Sequence, residues 1–524
     1  MSNRLKHVLI IGQHPMKEDL TAQYSKLGYA IDFSDDYISA SDINRYDELF
    51  LFSCEENVDS YTADCMALES LKKLLEQYDP QKNDGRRIRC HILLQDASVL
   101  RLLQTSDLNK DYIAKCELIP FTIDEMWAQR LFVSLPGQLR TYPPLDRVPI
   151  DYDSNKTVHL VIFGLNDVSE SVAMYAALVA HYPNYTKQHR LRTRITFIDE
   201  EIGQKASATI NKYNHLFDNS FYRFIDLDAL QPVTEFHVPQ YMTSREEFVD
   251  VEWEFVKAGV NSSKLRDKFL QWSADDEQIL TIALCQTDDS RNIATAMSLP
   301  DCIEQAGIPV LIRTRQATIF DIIARTPKLS NIYPFDMNDR GYDVTLPLHG
   351  VAKRINYVYN RCYDDNFAST DNSDTVKAPT QIDMAIAEAQ WNKLTMPKRY
   401  SCIYNAMTIT GKMRALGHNE DDWDTFYSLN KEEIAQLAEV EHNRWSVEEL
   451  ILGFRPVTDD EQKIIENDIN KKREYKSKFI HYDLRAYNDL RVDETGKNSN
   501  VYDICLSASI PLIANSFTKD NSHG

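Results

Sequence analysis

Apolar positions along the chain divide it into two stretches of alternating short runs and amphipathic segments, followed by a helical remainder. The runs His7–Gly12, Tyr29–Phe33, Glu48–Ser53, Arg89–Gln95 and Leu118–Phe121 are dominated by Val, Ile, Leu and Phe and bounded by turn residues. Strands buried on both faces read this way. Between them, helix-period segments end near Gly28 and Leu75 and cover Ser98–Leu103 and Ile123–Ser134. Strands alternating with helices at this spacing predict a doubly wound parallel sheet.

The pattern then restarts. Thr157–Gly164, Arg194–Asp199, Val251–Lys257, Ile279–Thr287, Pro309–Arg313 and Asn331–Phe335 read as strands. Ser169–His181, Ser263–Trp272, Ser290–Ala306 and Val351–Tyr359 read as helices. Both series end alike, on Ile119-Pro120-Phe121 and Tyr333-Pro334-Phe335, each followed by a helix. A duplicated α/β unit is the simplest explanation. The expected domains are residues 1–140 and 154–365, the second with an aromatic insertion near 203–247 that suits a lid or an interface. Leu139–Asp153, with three prolines, reads as the linker between them, and Asn366–Lys377 as a second one. Helices are expected over 378–420 and 421–514, and Asn515–Gly524 as a frayed end.

Charge and cysteine usage narrow the function. With 79 acidic against 58 basic residues the net charge is −21, a surface that repels nucleic acid and anionic lipid. The densest basic run, Lys471–Lys478, is short and suits a solvated helix face. No apolar run approaches the roughly 20 residues of a membrane helix. The nine cysteines are scattered without a C-x-x-C pair, a reduced, cytosolic pattern. A cytoplasmic protein without membrane insertion or direct nucleic-acid contact is therefore expected.

The turns after the first strand of each unit read Gly12-Gln13-His14-Pro15-Met16-Lys17 and Gly164-Leu165-Asn166-Asp167-Val168-Ser169. Both units resemble the nucleotide-binding domains of Trk potassium-uptake regulators, which implies tandem Rossmann-like folds and a G-x-G-x-x-G turn cradling a pyrophosphate. Only the first Gly of that fingerprint is present in each turn. His14 and Asn166 place side chains where phosphate would approach, and Asp167 and Glu170 add negative charge at a helix start. Asp199, and Asp35 or Asp36 in the first unit, stand where the family binds ribose. The candidate nucleotide residues are thus Gly12, Asp35, Gly164, Asn166 and Asp199, in turns that do not fit NAD. Asp199 has a plainer reading as a cap for the next segment.

The C-terminal stretch LAEVEHNRWSVEELILGFRP carries an apolar stripe through Leu437, Val440, Val447, Leu450 and Ile451, with Glu439, His442, Arg444, Trp445 and Glu448 on the same turns. Gly453 suits a helix end. Leu437, Ala438, Glu439, His442, Trp445, Gly453, Phe454 and Arg455, then His481, Leu484, Tyr487, Leu490, Tyr502 and Asp503, resemble the RyR domain, the repeat named after ryanodine receptors. The preceding WNKLTMPKRYSCIYNAMTITGKMRALG resembles the connector found between Trk-type and RyR domains in bacterial proteins. The resemblance implies adenine-nucleotide binding and ligand sensing. Trp445 and Tyr487 would sandwich a purine-like ring, and Arg444, Arg455 or Lys478 would meet phosphate. The candidate ligand residues are Glu439, His442, Arg444, Trp445, Arg455, His481 and Tyr487. The plain alternatives are a core Trp445 and a Glu439–His442 helix staple. Glu439 and His442 share a helix face, but a metal site is not expected, because only His481 offers a further ligand.

There is no G-x-S-x-G, Walker A or H-E-x-x-H sequence, and Asp288-Asp289-Ser290 suits a helix N-cap better than a catalytic carboxylate pair. The chain reads as two tandem Rossmann-like doubly wound parallel-sheet domains plus a mainly α-helical RyR-type domain. Its expected role is regulatory: sensing a small, nucleotide-derived ligand and signalling to a channel or effector partner, as a homodimer or a pseudo-symmetric monomer. The rivals are an enzyme using a Rossmann cleft and a structural subunit without ligand.

Overall fold

The computed structural model of the chain describes residues 4–35, 43–53, 58–106, 114–229, 235–239, 246–326, 329–362, 379–418, 428–490 and 498–521. The first sheet holds β1 (His7–Ile11), β2 (Ala30–Ser34), β3 (Glu48–Phe52), β4 (Ile88–Leu93) and β5 (Cys116–Phe121), all parallel, in the order β2-β1-β3-β4-β5. The second holds β6 (Thr157–Phe163), β7 (Thr193–Asp199), β8 (Phe221–Asp226), β9 (Val251–Lys257), β10 (Gln278–Leu284), β11 (Val310–Arg313) and β12 (Ile332–Phe335), also parallel, in the order β12-β11-β10-β6-β7-β9-β8. Without β8, this is the 3-2-1-4-5-6 order of dinucleotide-binding folds. The first sheet is the same order with its third strand left out. β5 therefore corresponds to β12, and both are edge strands. Pro120 and Pro334 lie opposite Ile92 and Ile312 at matching register. Lacking an N–H, proline is tolerated at an edge. Each proline carbonyl accepts a tyrosine hydroxyl, from Tyr400 at 3.0 Å and Tyr142 at 2.9 Å.

Several expectations change in detail. The aromatic insertion does not close over a cleft in its described part: it forms helices Ile202–Lys212 and Asn214–Asn219 and then β8, which extends the sheet. The expected Ser290–Ala306 helix breaks at Pro300 into Asp289–Ser298 and Asp301–Gln305, because proline cannot continue the first helix. Residues 515–521 belong to helix Ile510–Asn521, whose Phe517 is buried and whose Ser516 hydroxyl accepts from Arg354 at 3.0 Å. The 366–377 stretch lies outside the described residues.

The two α/β units are interlocked. Helix Ile123–Phe132, after β5, packs on helix Asp167–Val179, after β6. The 139–153 stretch is anchored by buried Tyr142, Leu145 and Ile150, and the Arg414 guanidinium donates to both oxygens of Asp146, at 2.9 and 2.6 Å. After β12 the chain crosses to the first sheet, where Tyr342 and Val344 join Val8, Ile10, Phe50 and Phe121 in one core. Gln23 secures this strap. Its amide donates to the Tyr342 carbonyl at 2.7 Å and its oxygen accepts the Val344 N–H at 3.1 Å.

The C-terminal part is mainly helical and continuous with the second unit's core. Helix Lys431–Ile451 lies among helices Asp167–Val179, Met396–Met407 and Asn500–Ala508 and is buried nearly all round from Leu437 onward. Cys362, ending helix Pro347–Cys362, is bonded to Cys505 across 143 residues of sequence. This corrects the fully reduced reading: helix packing joins the two cysteines, and no local spacing announces it.

Candidate functional site

Helix Lys431–Ile451 starts at a capping box between Asn430 and Glu433 and gives way to Gly453 at φ +97°. Its length carries His442 and Trp445 against residues 481–487 and helix Asn500–Ala508. His442 Nε2 donates to the Arg485 carbonyl at 2.8 Å, and its Nδ1 lies 3.4 Å from the Asp503 carboxylate. The Trp445 ring lies 5.5 Å from His442 and meets His481 edge-on at 4.8 Å; Tyr487 is 5.9 Å from His442 and Phe454 6.1 Å from His481. The histidines are buried, whereas Trp445 and Tyr487 keep exposed surface. Burial alone would lower His442, but Asp503 and the Arg485 carbonyl outweigh it and raise the imidazole above its ordinary value. His481 is pushed well down by burial and by Lys476 and Lys472. An imidazole whose charged form is favoured and one whose neutral form is favoured thus sit beside two half-open rings. Glu439, half-buried, has its carboxyl raised by burial against the opposing pull of His189 and His442. His442 is oriented by Arg485 and Asp503 rather than by a Glu439 staple.

Two predicted phosphate partners are placed elsewhere. Arg444, 1% exposed, donates through Nε to both oxygens of Glu441 (3.1 and 3.0 Å), through Nη2 to Glu441 at 2.8 Å and through Nη1 to Glu448 at 2.5 Å. Lys412 and Asn405 also donate to Glu441. Burial pushes the Glu441 carboxyl up, but Arg444 and Lys412 outweigh it and hold it near 2. Arg444 is therefore a core ion pair and not a ligand contact; Glu441 and Glu448, three before and four after it, carried that signal. Arg455 makes a two-pronged contact to Glu461 at 2.8 and 2.7 Å. Asp503 and Arg485, absent from the predicted set, orient His442; Asp503 was visible only as a matched motif position.

The two turns share a backbone: Gly12 at φ +92° donates to the Ser34 carbonyl, and Gly164 at φ +85° to that of Ile198, each at 2.9 Å. A side chain at 164 would come within 3.1 Å of Gln286 Cα. Asn166 caps helix Asp167–Val179 through the Ser169 N–H and donates to the Cys285 carbonyl at 2.7 Å. It thereby bridges the ends of β6 and β10, the crevice where such sheets bind ligands. Asp199 accepts from the N–H groups of Leu165 (3.1 Å) and Glu201 (2.8 Å) and from Lys205, so a turn N–H that would serve phosphate is engaged. In the first unit Gln13 donates to Asp35, and His14 stacks on Phe52 at 5.0 Å; Asp36 lies outside the described residues. Asp288 caps helix Asp289–Ser298, accepting the Ser290 N–H at 2.8 Å.

Carboxyls crowd the second crevice. Asp336, at φ +74° just after β12, pairs with Arg313 at 2.5 Å and leaves Oδ1 buried without a partner. Asp124, from the first unit's last helix, is pushed up to about 7, by burial first and then by Asp336. Among the described residues no cluster of His, Cys, Asp or Glu suits a metal ion, and no helix is long and apolar enough to cross a membrane.

No protein-family model and no curated protein matches the chain, so the RyR-type resemblance finds no counterpart there. Among solved structures, a GsuK channel aligns at 10% identity and a TM-score of 0.29, over 64% of this chain and 62% of that one. An alpha-glucosyltransferase in complex with UDP and a 13-mer DNA containing a central A:G mismatch aligns at 10% identity and 0.18, over 78% and 97%. The chain spans less than two thirds of the channel's length, and at these scores neither likeness carries an argument about function.

Proposed function

We propose that the chain is a regulatory sensor whose C-terminal cluster binds a small planar, nucleotide-derived ligand between Trp445 and Tyr487 and signals its occupancy to a channel or effector partner. One observation carries this reading: a single helix holds His442 and Trp445 against His481, Tyr487 and Asp503 while packing on helix Asp167–Val179. A ring seated on Trp445 presses on His442, and through it on Asp503 of helix Asn500–Ala508. The same helix reaches the second unit at the element that begins beside the Gly164 turn. Ligand contact and transmission therefore share one rigid body. With Arg444 and Arg455 engaged elsewhere, aromatic stacking supplies most of the affinity.

Calorimetric titration of the full chain with adenosine, AMP and ADP tests this. A stacked base is worth ~1–3 kcal/mol, so Trp445→Ala or Tyr487→Ala should weaken binding about 5- to 150-fold. A wild type that binds none of the three, or variants that bind them equally well, refutes the proposal.

A further inference from the structure

A cleft of about 360 Å³ lies where the first unit, the strap and the connector helices meet. It is within the size range of small-molecule sites, which favour such junctions. Tyr175, Tyr342 and Tyr400 line it with Phe121, and Glu125, Arg130 and His349 are among its polar residues. The Glu125 carboxyl accepts from Gln104 and from the Tyr175 hydroxyl, both at 3.2 Å and both at one oxygen, Oε2. His349 Nδ1 is buried without a hydrogen-bond partner. Arg130 stands at the exposed rim, donating to the Gly341 carbonyl at 3.2 Å. Burial raises the Glu125 carboxyl above its usual range, and burial pushes His349 down to about 3, so that its ring is neutral.

We infer that this cleft is a second binding site, for a planar amino-substituted heteroaromatic bearing an anionic group, the chemistry of a nucleoside monophosphate. A carboxyl recognises an amino edge by accepting its N–H. Tyrosine rings stack on the base plane, and the rim guanidinium suits a phosphate. Because the strap and helix Ile123–Phe132 both form its walls, an occupant holds the two α/β units to the connector. The site is separate from the Trp445 cluster and does not depend on it.

The test is calorimetric titration of the full chain with AMP, GMP and CMP, the matching nucleosides and inorganic phosphate. Wild type should bind at least one nucleoside monophosphate. Glu125→Gln, nearly isosteric, should weaken that binding tenfold or more, and Arg130→Ala should weaken it about tenfold while leaving the nucleoside unaffected. The binding component that Glu125→Gln removes should persist in Trp445→Ala, which separates this site from the C-terminal one. The inference is overturned if wild type binds none of the monophosphates, or if a Glu125→Gln variant that melts like wild type binds them undiminished.

Discussion

Asp124 offers the sharpest quantitative test of how the two α/β units meet. Its carboxyl belongs to the first unit but sits in the second unit's crevice, where burial and then Asp336 push it up to about 7 from the ordinary 3.8. Folding therefore takes up a proton between these values. Below about pH 4 the group is protonated folded or unfolded and contributes nothing. From there to pH 7 the unfolded chain holds a carboxylate and the folded chain an acid, so stability falls as pH rises. Each tenfold change in proton affinity is worth about 1.4 kcal/mol, so the loss reaches about 4 kcal/mol and is complete above pH 7. Asp124→Asn keeps the shape without the proton. It should melt with wild type near pH 4 and above it at pH 8, by up to roughly 8–16 °C for a unit of this size. Favourable helix-start placement of the ionised form trims this by about 0.3–1 kcal/mol. Glu449 is also pushed up to about 7, by burial first, but it is common to both proteins and cancels in the difference. Differential scanning fluorimetry at pH 4, 6, 7 and 8 gives the curve. A variant no more stable than wild type at pH 8, or a difference that does not grow with pH, refutes the reasoning.

Glu441→Gln removes the carboxylate shared by Lys412 and Arg444 and should cost ~3–5 kcal/mol, since breaking a buried pair strands its partners; a chemical melt showing under about 1 kcal/mol contradicts the network. Reductant should expose two further thiols in denatured protein and lower the melting temperature, because the Cys362–Cys505 bond closes a loop across 143 residues, worth about 5 kcal/mol in the chain-entropy account; an unchanged thiol count sinks the bond.

The strands that were legible in the sequence are those buried on both faces, such as β1, β6 and β10, where an unbroken apolar run leaves few alternatives. β8 is not legible because one face carries Arg223, paired with Glu254 of β9, so its apolar run is broken by charge. In the C-terminal cluster, helical spacing puts His442 and Trp445 three apart on one helix, but the packing of His481 on Trp445 and of Tyr487 on His442 is long-range and no spacing encodes it. The charge of Arg444 suits a phosphate as well as Glu441 and Glu448 one turn either side, and only its burial decides for the carboxylates. Asn166 reads as an obstacle to phosphate, but its latch onto Cys285 depends on β10, far away in sequence. The strap and the Cys362–Cys505 bond are likewise long-range, and no local periodicity encodes them.

The strap has a consequence for how the protein is made. His91 finds the Tyr342 hydroxyl, 2.6 Å away, only after 251 further residues have been synthesised. At roughly 5–20 residues per second, that is on the order of 10–50 s during which the nascent first sheet shows Phe50 and Phe121 without their lid. Holding chaperones have that interval in which to act. A truncated first unit expressed alone never leaves it, and should be recovered as aggregate unless residues 336–348 are supplied in trans.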